Sequence, residues 1–523
     1  MSASSWRWLR RASQLTFLVL ACVAVVRTTY PLGDPRFLNV IPELSPLLAA
    51  TAMLAARAFI PELLFWSLLV VGLTLAFGRA FCGWACPVGT TLDAADAVIG
   101  RFRRRRPREG AQPRHRRYRF LFLAALGVLA AFGLPLAGWF DPLSVFPRTL
   151  ATAAVPYATF ALDGATRLMY RAPALAGAAA ALRQHLIPEN MALIPGHWVV
   201  AAFFVALVLL GLFRRRFYCR YVCPSGALLA LLGWASPFGR RVDAESCTSC
   251  RRCRDVCRMG AIGGDGRSTA QAECNLCLDC LGARGCGATT SFGFGRARRE
   301  DNPTSWGPGV KRRDFIAAAG AGLVAAAPLA LLGRRVERDP YLIRPPGSLA
   351  EDDFQARCIR CGECVRVCLT QGLAPVHFEA GPTGLWTPRL IPRKGYCEYR
   401  CTMCTQICPS GAIAKLDEAR KKRTVIGVAV IDTRRCIPWV SADTCNVCEE
   451  MCPTAPKAIV ARGRGRAKPY VVLERCVGCG ICEYACPVAG RSAIRVLGNH
   501  MRDAVASSVG GGAGRRRRRG RRG

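Results

Sequence analysis

The stretch Cys476-Val-Gly-Cys479-Gly-Ile-Cys482-Glu-Tyr-Ala-Cys486-Pro487 constrains this chain more than any other. Its C-x2-C-x2-C-x3-C-P spacing wraps a loop around an iron–sulfur cube. Three thiolates hold one cluster, and the fourth, followed by proline, points to a neighbouring cluster. Five more groups follow the plan. Cys247, Cys250, Cys253 and Cys257 keep the regular spacing, whereas in Cys274, Cys277, Cys280 and Cys286 the last cysteine is displaced by two residues. Beyond residue 340 come Cys358, Cys361, Cys364 and Cys368, then Cys397, Cys401, Cys404 and Cys408. Cys436, Cys445, Cys448 and Cys452 follow, with IPWVSADT inserted after the first. These 24 cysteines suffice for six [4Fe-4S] clusters.

The chain has 29 cysteines in all. A disulfide scaffold needs no fixed i, i+3, i+6 pattern, and zinc sites come as separated C-x2-C pairs, so the repeated triplet argues for iron–sulfur. No C-x-x-C-H is present to attach a c-type haem. The five histidines are not paired within an apolar span, which excludes a bis-histidine cytochrome b core. By the crossing rule, Cys247, Cys250, Cys253 and Cys286 hold one cluster, and Cys274, Cys277, Cys280 and Cys257 another. After residue 340 the pairing stays open: first group with second and third with fourth, or first with fourth and second with third. Strand-like pieces lie at 426–432, and a hairpin-like piece at 458–473.

The 51% hydrophobic content and net charge of +38 are unusual for one globular unit and suggest apolar spans separated by basic segments. The spans are expected at 14–30, 61–78, 120–138 and 197–213, with a re-entrant or interfacial piece in 31–60. Cys22 reads as a small buried apolar residue. Ten arginines in 101–119, and Arg214 to Arg216, mark cytoplasmic loops, so 139–196 reads as the outer side. A nucleic-acid role is excluded, since arginines beside apolar spans account for most of the charge. The spans 61–78 and 197–213 run into Phe81-Cys82-Gly-Trp-Ala-Cys86-Pro87 and Tyr218-Cys219-Arg-Tyr-Val-Cys223-Pro224, an internal repeat of aromatic-C-x3-C-P. Cysteines four apart share one side of a helical turn. Facing pairs would supply four thiolates for a seventh metal or cluster site; the alternative is two structural or redox-active dithiols.

Lys311-Arg312-Arg313 before the apolar 315–333 reads as an internal twin-arginine export signal or as a plain fifth span, and either moves 339–523 to the outer face. No clear A-x-A site is present after it, so the segment is expected to stay as an anchor. The tail Arg515 to Arg519, Arg521 and Arg522 should be disordered. The expected domains are a membrane domain at 1–240, a cytoplasmic two-cluster module at 241–295, linker and anchor at 296–338, a periplasmic four-cluster domain at 339–500, and the tail at 501–523. The fold class is an α-helical membrane domain of about four spans plus a fifth anchor, carrying α+β ferredoxin-like modules.

Residues 1–290, with two C-x3-C-P span ends and a two-cluster module, resemble the NapH and MauN membrane ferredoxins. Residues 310–500, with the twin-arginine segment and four cysteine groups, resemble the NapG and MauM periplasmic ferredoxins. The chain looks like a fusion of the two. That resemblance implies a bacterial inner-membrane protein that oxidises quinol from the quinone pool and passes electrons to a periplasmic acceptor, such as a cytochrome c or a reductase. C-x3-C-P proteins of the NosR and CcoG type imply the alternative, metalloenzyme maturation or regulation. A quinol site needs a proton acceptor, and Glu62, Asp141 and His197 fall near outer span ends. Each also reads as a helix-start or interface residue.

Overall fold

The computed structural model describes residues 3–29, 34–102, 113–186, 194–243, 245–283, 290–295, 312–335, 339–441, 443–463 and 467–507. Most of the arginine loop, most of the linker, Cys286 and the arginine tail lie outside the described residues.

The helical part is built from α1 (Ala3–Arg27), α2 (Pro46–Ala56), α3 (Pro61–Phe77), α4 (Pro87–Phe102), α5 (Pro113–Ala131), α6 (Pro142–Thr149), α7 (Val155–Met169), α8 (His197–Leu209), α9 (Pro224–Leu232) and α10 (Arg312–Arg335). Two of these helices start alike. The Ser45 side chain accepts from the Leu48 N–H ahead of Pro46. The Asp141 side chain accepts from the Leu143 N–H at 2.8 Å ahead of Pro142. A capping oxygen followed by proline at the first helical position fixes a helix start, because the proline lacks an N–H that would need a partner. Helices α6 and α7 are joined through a π turn at Leu150–Ala154, shortly after Pro147. The ring of Pro147 removes one ladder bond, and the wider turn absorbs it.

Helix is found in all five expected spans. One helix among the described residues, Ser4–Arg27, is long and apolar enough to cross a bilayer by length and composition. Pro46–Ala56, Pro61–Phe77, His197–Leu212 and Pro224–Ala235 are apolar but shorter. The count of about four spans is therefore not reached on this measure. The 17 residues of α3 give about 26 Å of helix. The helix expected at 120–138 stops at Ala131, just before Gly133 turns left-handed with φ of 84°. Helix α10 runs parallel to α5: Arg117 pairs with Asp314 at 3.3 Å, and a Cβ on Gly322 would stand 2.9 Å from the Ala125 Cα. Only a glycine admits so close a crossing.

Strands bracket the cysteine groups. β1 (Phe238–Val242) pairs antiparallel with β2 (Thr290–Phe294) around the first module, with Phe238 opposite Phe294. β3 (Leu373–Pro375) pairs with β4 (Pro388–Leu390) between the first two groups of the second module. β5 (Gly427–Ile431) pairs with β8 (Ile494–Gly498) around the last two groups, and β6 (Ile459–Arg462) with β7 (Lys468–Val471) lies between those groups. The strand at 426–432 and the hairpin at 458–473 are thus observed. Cys436, Cys476, Cys482 and Cys486 are part of the core of the second module, beside Ile426, Ile459, Ile494 and Val496.

Candidate metal centres

Four of the six cysteine loops share a backbone device. In Cys476-Val-Gly478-Cys479-Gly480, both glycines have positive φ, 75° and 85°. A Cβ on Gly478 would stand 2.4 Å from the Gly427 backbone. The same two places hold Ser249 and Arg251, Leu276 and Leu278, and Arg360 and Gly362, all at φ between 51° and 84°. Two left-handed residues flanking the second cysteine turn the loop so that its thiols face one point. Non-glycine residues there cost about 1–3 kcal/mol each.

The structure gathers the second module's cysteines into four sets, each with three members from one group and the last from its neighbour. Burial, then the thiolates of Cys361, Cys358 and Cys408, pushes Cys364 well above the usual thiol range. Burial, then Cys397, Cys368 and Cys401, does the same to Cys404. Burial, then Cys436, Cys445 and Cys486, pushes Cys448 up to about 12. Burial, then Cys479 and Cys476, with Cys448 and Cys452 beyond them, raises Cys482. First therefore pairs with second, and third with fourth; the other pairing left open by the sequence is not adopted. The two pairs touch where the Cys397 N–H donates to the Cys479 carbonyl at 2.8 Å.

In the first module, burial and then Cys277, with Cys274 and Cys257 further off, raises Cys280. That is the crossed set expected from spacing. Arg240 Nη2 donates to the Cys253 Sγ at 3.4 Å. Among the described residues no cysteine is disulfide-bonded. Nor does any group of three His, Cys, Asp or Glu among them close tightly enough for a single ion. Four thiols around one buried point cannot all ionise without a compensating cation. An all-sulfur donor set suits iron–sulfur, and the residues present fit such a cluster in each set.

Cys82, Cys86, Cys219 and Cys223 line one cavity together with Ser45, Arg79, Arg216, Tyr218 and Ser225. The Gly226 N–H donates to the Cys223 Sγ at 3.2 Å. Asp141 stands beside this cavity, bonded to two of its lining serines. It is fully buried, accepting from Ser45 at 2.7 Å and from Ser225 in a short bond. Glu62 is exposed in the first turn of α3, and His197 Nδ1 sits 2.7 Å from the Ile194 carbonyl at the start of α8; neither lines the cavity. Cys22 is half-buried in α1, packed against the core that includes Cys86, Cys219 and Cys223.

Each face of this quartet meets one module. Toward the first, a Cβ on Gly83 would stand 2.1 Å from the Asn275 carbonyl oxygen, and Trp84 Nε1 donates to the Leu276 carbonyl at 3.0 Å. Buried Arg79 and Arg119 both pair with Glu273, the neighbour of Cys274. Asp93 receives Arg216 at 2.7 Å and Arg258 at 3.0 Å. Toward the second module, Tyr218 donates to the Phe140 carbonyl. The ring of Phe140 lies 6.5 Å from Trp139, and Trp139 lies 6.3 Å from Trp386. Ser144 donates to the Ile359 carbonyl at 2.7 Å. Sequence reasoning placed Tyr218 in the repeat as its aromatic residue and missed Glu273, Arg148 and Arg360. Only Arg360 left a sequence trace: it stands where the most regular loop has Gly478.

A family described as a 4Fe-4S binding domain matches residues 59–107 and 196–243, which contain the two C-x3-C-P pairs. A 4Fe-4S dicluster domain matches 443–489. The loops, the sulfur sets and these matches define an iron–sulfur electron-transfer protein of ferredoxin type. The methylamine utilization ferredoxin-type protein MauM of Methylorubrum extorquens is 37% identical over 198 residues, which is 36% of this chain and 85% of that protein. The ferredoxin-type protein NapG of Escherichia coli is 32% identical, covering 35% of this chain and 83% of NapG. The chain belongs to this MauM and NapG family of ferredoxin-type proteins. The regulatory protein NosR of Pseudomonas aeruginosa is 29% identical over 50% of this chain, which spans 31% of NosR. No solved structure matches the chain.

Proposed function

We propose that the chain is a multi-pass inner-membrane relay that oxidises quinol and passes electrons through six [4Fe-4S] clusters to a periplasmic acceptor. The observation that carries this reading is the position of the quartet, buried between the two modules. Ligands to the six clusters are the four crossed sets of the second module, Cys257 with Cys274, Cys277 and Cys280, and Cys247, Cys250 and Cys253 with Cys286. Cys82, Cys86, Cys219 and Cys223 hold the seventh centre, where electrons leave the quinol.

Two features support the membrane. Apolar side chains stand outward on α1, α3 and α8, among them Phe17, Phe65, Leu69 and Val205, and an exposed belt of that kind fits lipid. Helices α5 and α10 run parallel, so the segments leaving their C-terminal ends lie on one side, as an anchor at 312–335 requires. The shorter apolar helices then serve as tilted or re-entrant elements inside the bundle. In this frame the first module is cytoplasmic and the second periplasmic.

Quinol added to anaerobic protein should reduce the clusters promptly, as read by electron paramagnetic resonance. Cys86→Ser and Cys223→Ser should each block that reduction while the iron of the other sets stays near the unaltered level. Unaltered reduction in both variants removes the quartet from the path. The likeness to the regulatory protein NosR favours a second reading, a membrane ferredoxin for metalloenzyme maturation or regulation. Reduction only by a strong low-potential donor, with copper bound at the dithiols, would support it.

A further inference from the structure

Two guanidinium groups lie buried where the helices meet the second module. Arg148 is 1% exposed and Arg360 2%. Arg148 donates to the carbonyls of Gly138, Arg360 and Trp139 at 3.0–3.3 Å. Arg360 donates to the carbonyls of Pro135, Cys358, Thr383 and Leu385 at 2.7–3.2 Å. Carbonyls take up these N–H groups, all but the Arg148 Nε, and supply no counter-charge. Four other buried arginines differ: Arg10 has Asp279, Arg79 and Arg119 share Glu273, and Arg216 has Asp93, whereas buried Arg240 beside the first module reaches the carbonyls of Arg267 and Gly266, the Thr269 hydroxyl and the Cys253 Sγ. No ion pair to Arg148 or Arg360 forms among the described residues.

Two adjacent buried cations are costly unless something negative stands near. Burial, then the neighbouring Arg360, pushes the Arg148 guanidinium down to about 9, and the thiolates of Cys361 and Cys358 act the other way. Arg360 also holds its backbone at φ of 60°, a strained position that glycine fills in the fourth loop. That strain delivers a charge to the sulfur set. A [4Fe-4S] cluster with four thiolates carries net negative charge that grows by one on reduction, and nearby charge sets its potential.

We propose that Arg148 and Arg360 are the counter-charge of the cluster at Cys358, Cys361, Cys364 and Cys408, and that they make it the centre receiving electrons from the quartet. This rests on the proposed ligation of that cluster. In the step, one electron originating from quinol leaves the quartet centre and one is gained by this cluster; no bond forms or breaks. The fixed cations favour the more negative, reduced form. The contacts between the two centres are continuous: Tyr218 to Phe140, Phe140 to Trp139, Trp139 to Trp386, with the Arg148 guanidinium 4.1 Å from the Trp386 ring centroid.

The test is a redox titration of the full chain followed by electron paramagnetic resonance, with iron counted in parallel. Arg148→Gln and Arg360→Gln should each lower the potential of one cluster by at least a tenfold change in its reduced-to-oxidised ratio, about 59 mV for one electron. Arg148→Lys and Arg360→Lys keep the charge and should titrate close to the unaltered protein. If a glutamine variant loses the cluster while its lysine counterpart keeps it, the counter-charge role stands. If both lose it, shape and not charge is at work, and the proposal fails. Unchanged potentials in both glutamine variants also overturn it. Cys361→Ser separates the two layers: if it removes no cluster signal, the ligation reading itself is wrong.

Discussion

The two modules are held to the helical domain by different chemistry. The first is held by ion pairs: Glu273 between Arg79 and Arg119, Asp93 between Arg216 and Arg258, Asp279 between Arg10 and Arg258. The second is held by aromatic rings and by arginines that reach only carbonyls. A carboxylate fixes a guanidinium in place whatever the state of the cysteines beside it. A carbonyl leaves the charge unanswered, so the second face is electrically complete only with a centre among its thiols. The contrast separates a face that is built from one that is also poised.

The sharpest way to break this comparison is to ask whether the faces lie across a membrane. Reporter fusions after residues 110, 170, 240 and 510 should read in, out, in, out. A cytoplasmic signal at 510 would end the two-sided reading. Next in size is Glu273→Gln. It leaves Arg79 and Arg119 buried without their partner and should weaken the first module's attachment by about 3–5 kcal/mol. Hydrogen exchange should rise across 247–283 and not across 340–390. Smaller and matched are Gly83→Ala and Gly138→Ala, whose new Cβ atoms would meet Asn275 O at 2.1 Å and Ile359 O at 2.5 Å. Each should cost about 1–3 kcal/mol, read as protease sensitivity of its own module alone.

The smallest effect is the acid response. Burial raises the Asp93 carboxyl, but Arg216 and then Arg258 outweigh it and hold it well below the usual carboxylate range. Its stabilisation is therefore fully present above the unfolded value of about 4 and is lost as pH falls through the lower folded value. Acid titration of hydrogen exchange should loosen the first module below about pH 4. Asp93→Asn should remove that dependence.

Spacing made the sulfur sets legible, because a loop that wraps a cube has little freedom in where its thiols fall. From it come the expectations that Cys257 joins Cys274, Cys277 and Cys280 and that Cys82 and Cys86 face Cys219 and Cys223, and the fold places each of these groups of thiols together. Spacing left the pairing of the later groups open, because that depends on which loops the fold brings together, as it brings Cys408 to Cys364 and Cys486 to Cys448. Hydropathy found helices near each expected span but not their ends, which Gly133 and the capped starts at Ser45 and Asp141 decide. Asp141 read as a span-end or helix-start residue and does start α6, but its burial was not legible because its partners, Ser45 and Ser225, are 96 and 84 positions away.

The exchange of last cysteines between groups also governs how the protein can be made. Cys408 completes the set begun at Cys358, and Cys486 the set begun at Cys436, so neither site exists until some 50 further residues have left the ribosome. Filling must wait for the second group of each pair. A chain stopped before Cys476 would spoil two sites at once, keeping three thiols at one and Cys452 alone at the other. In the second module the two sets of a pair therefore become complete only once the second group of that pair has been made.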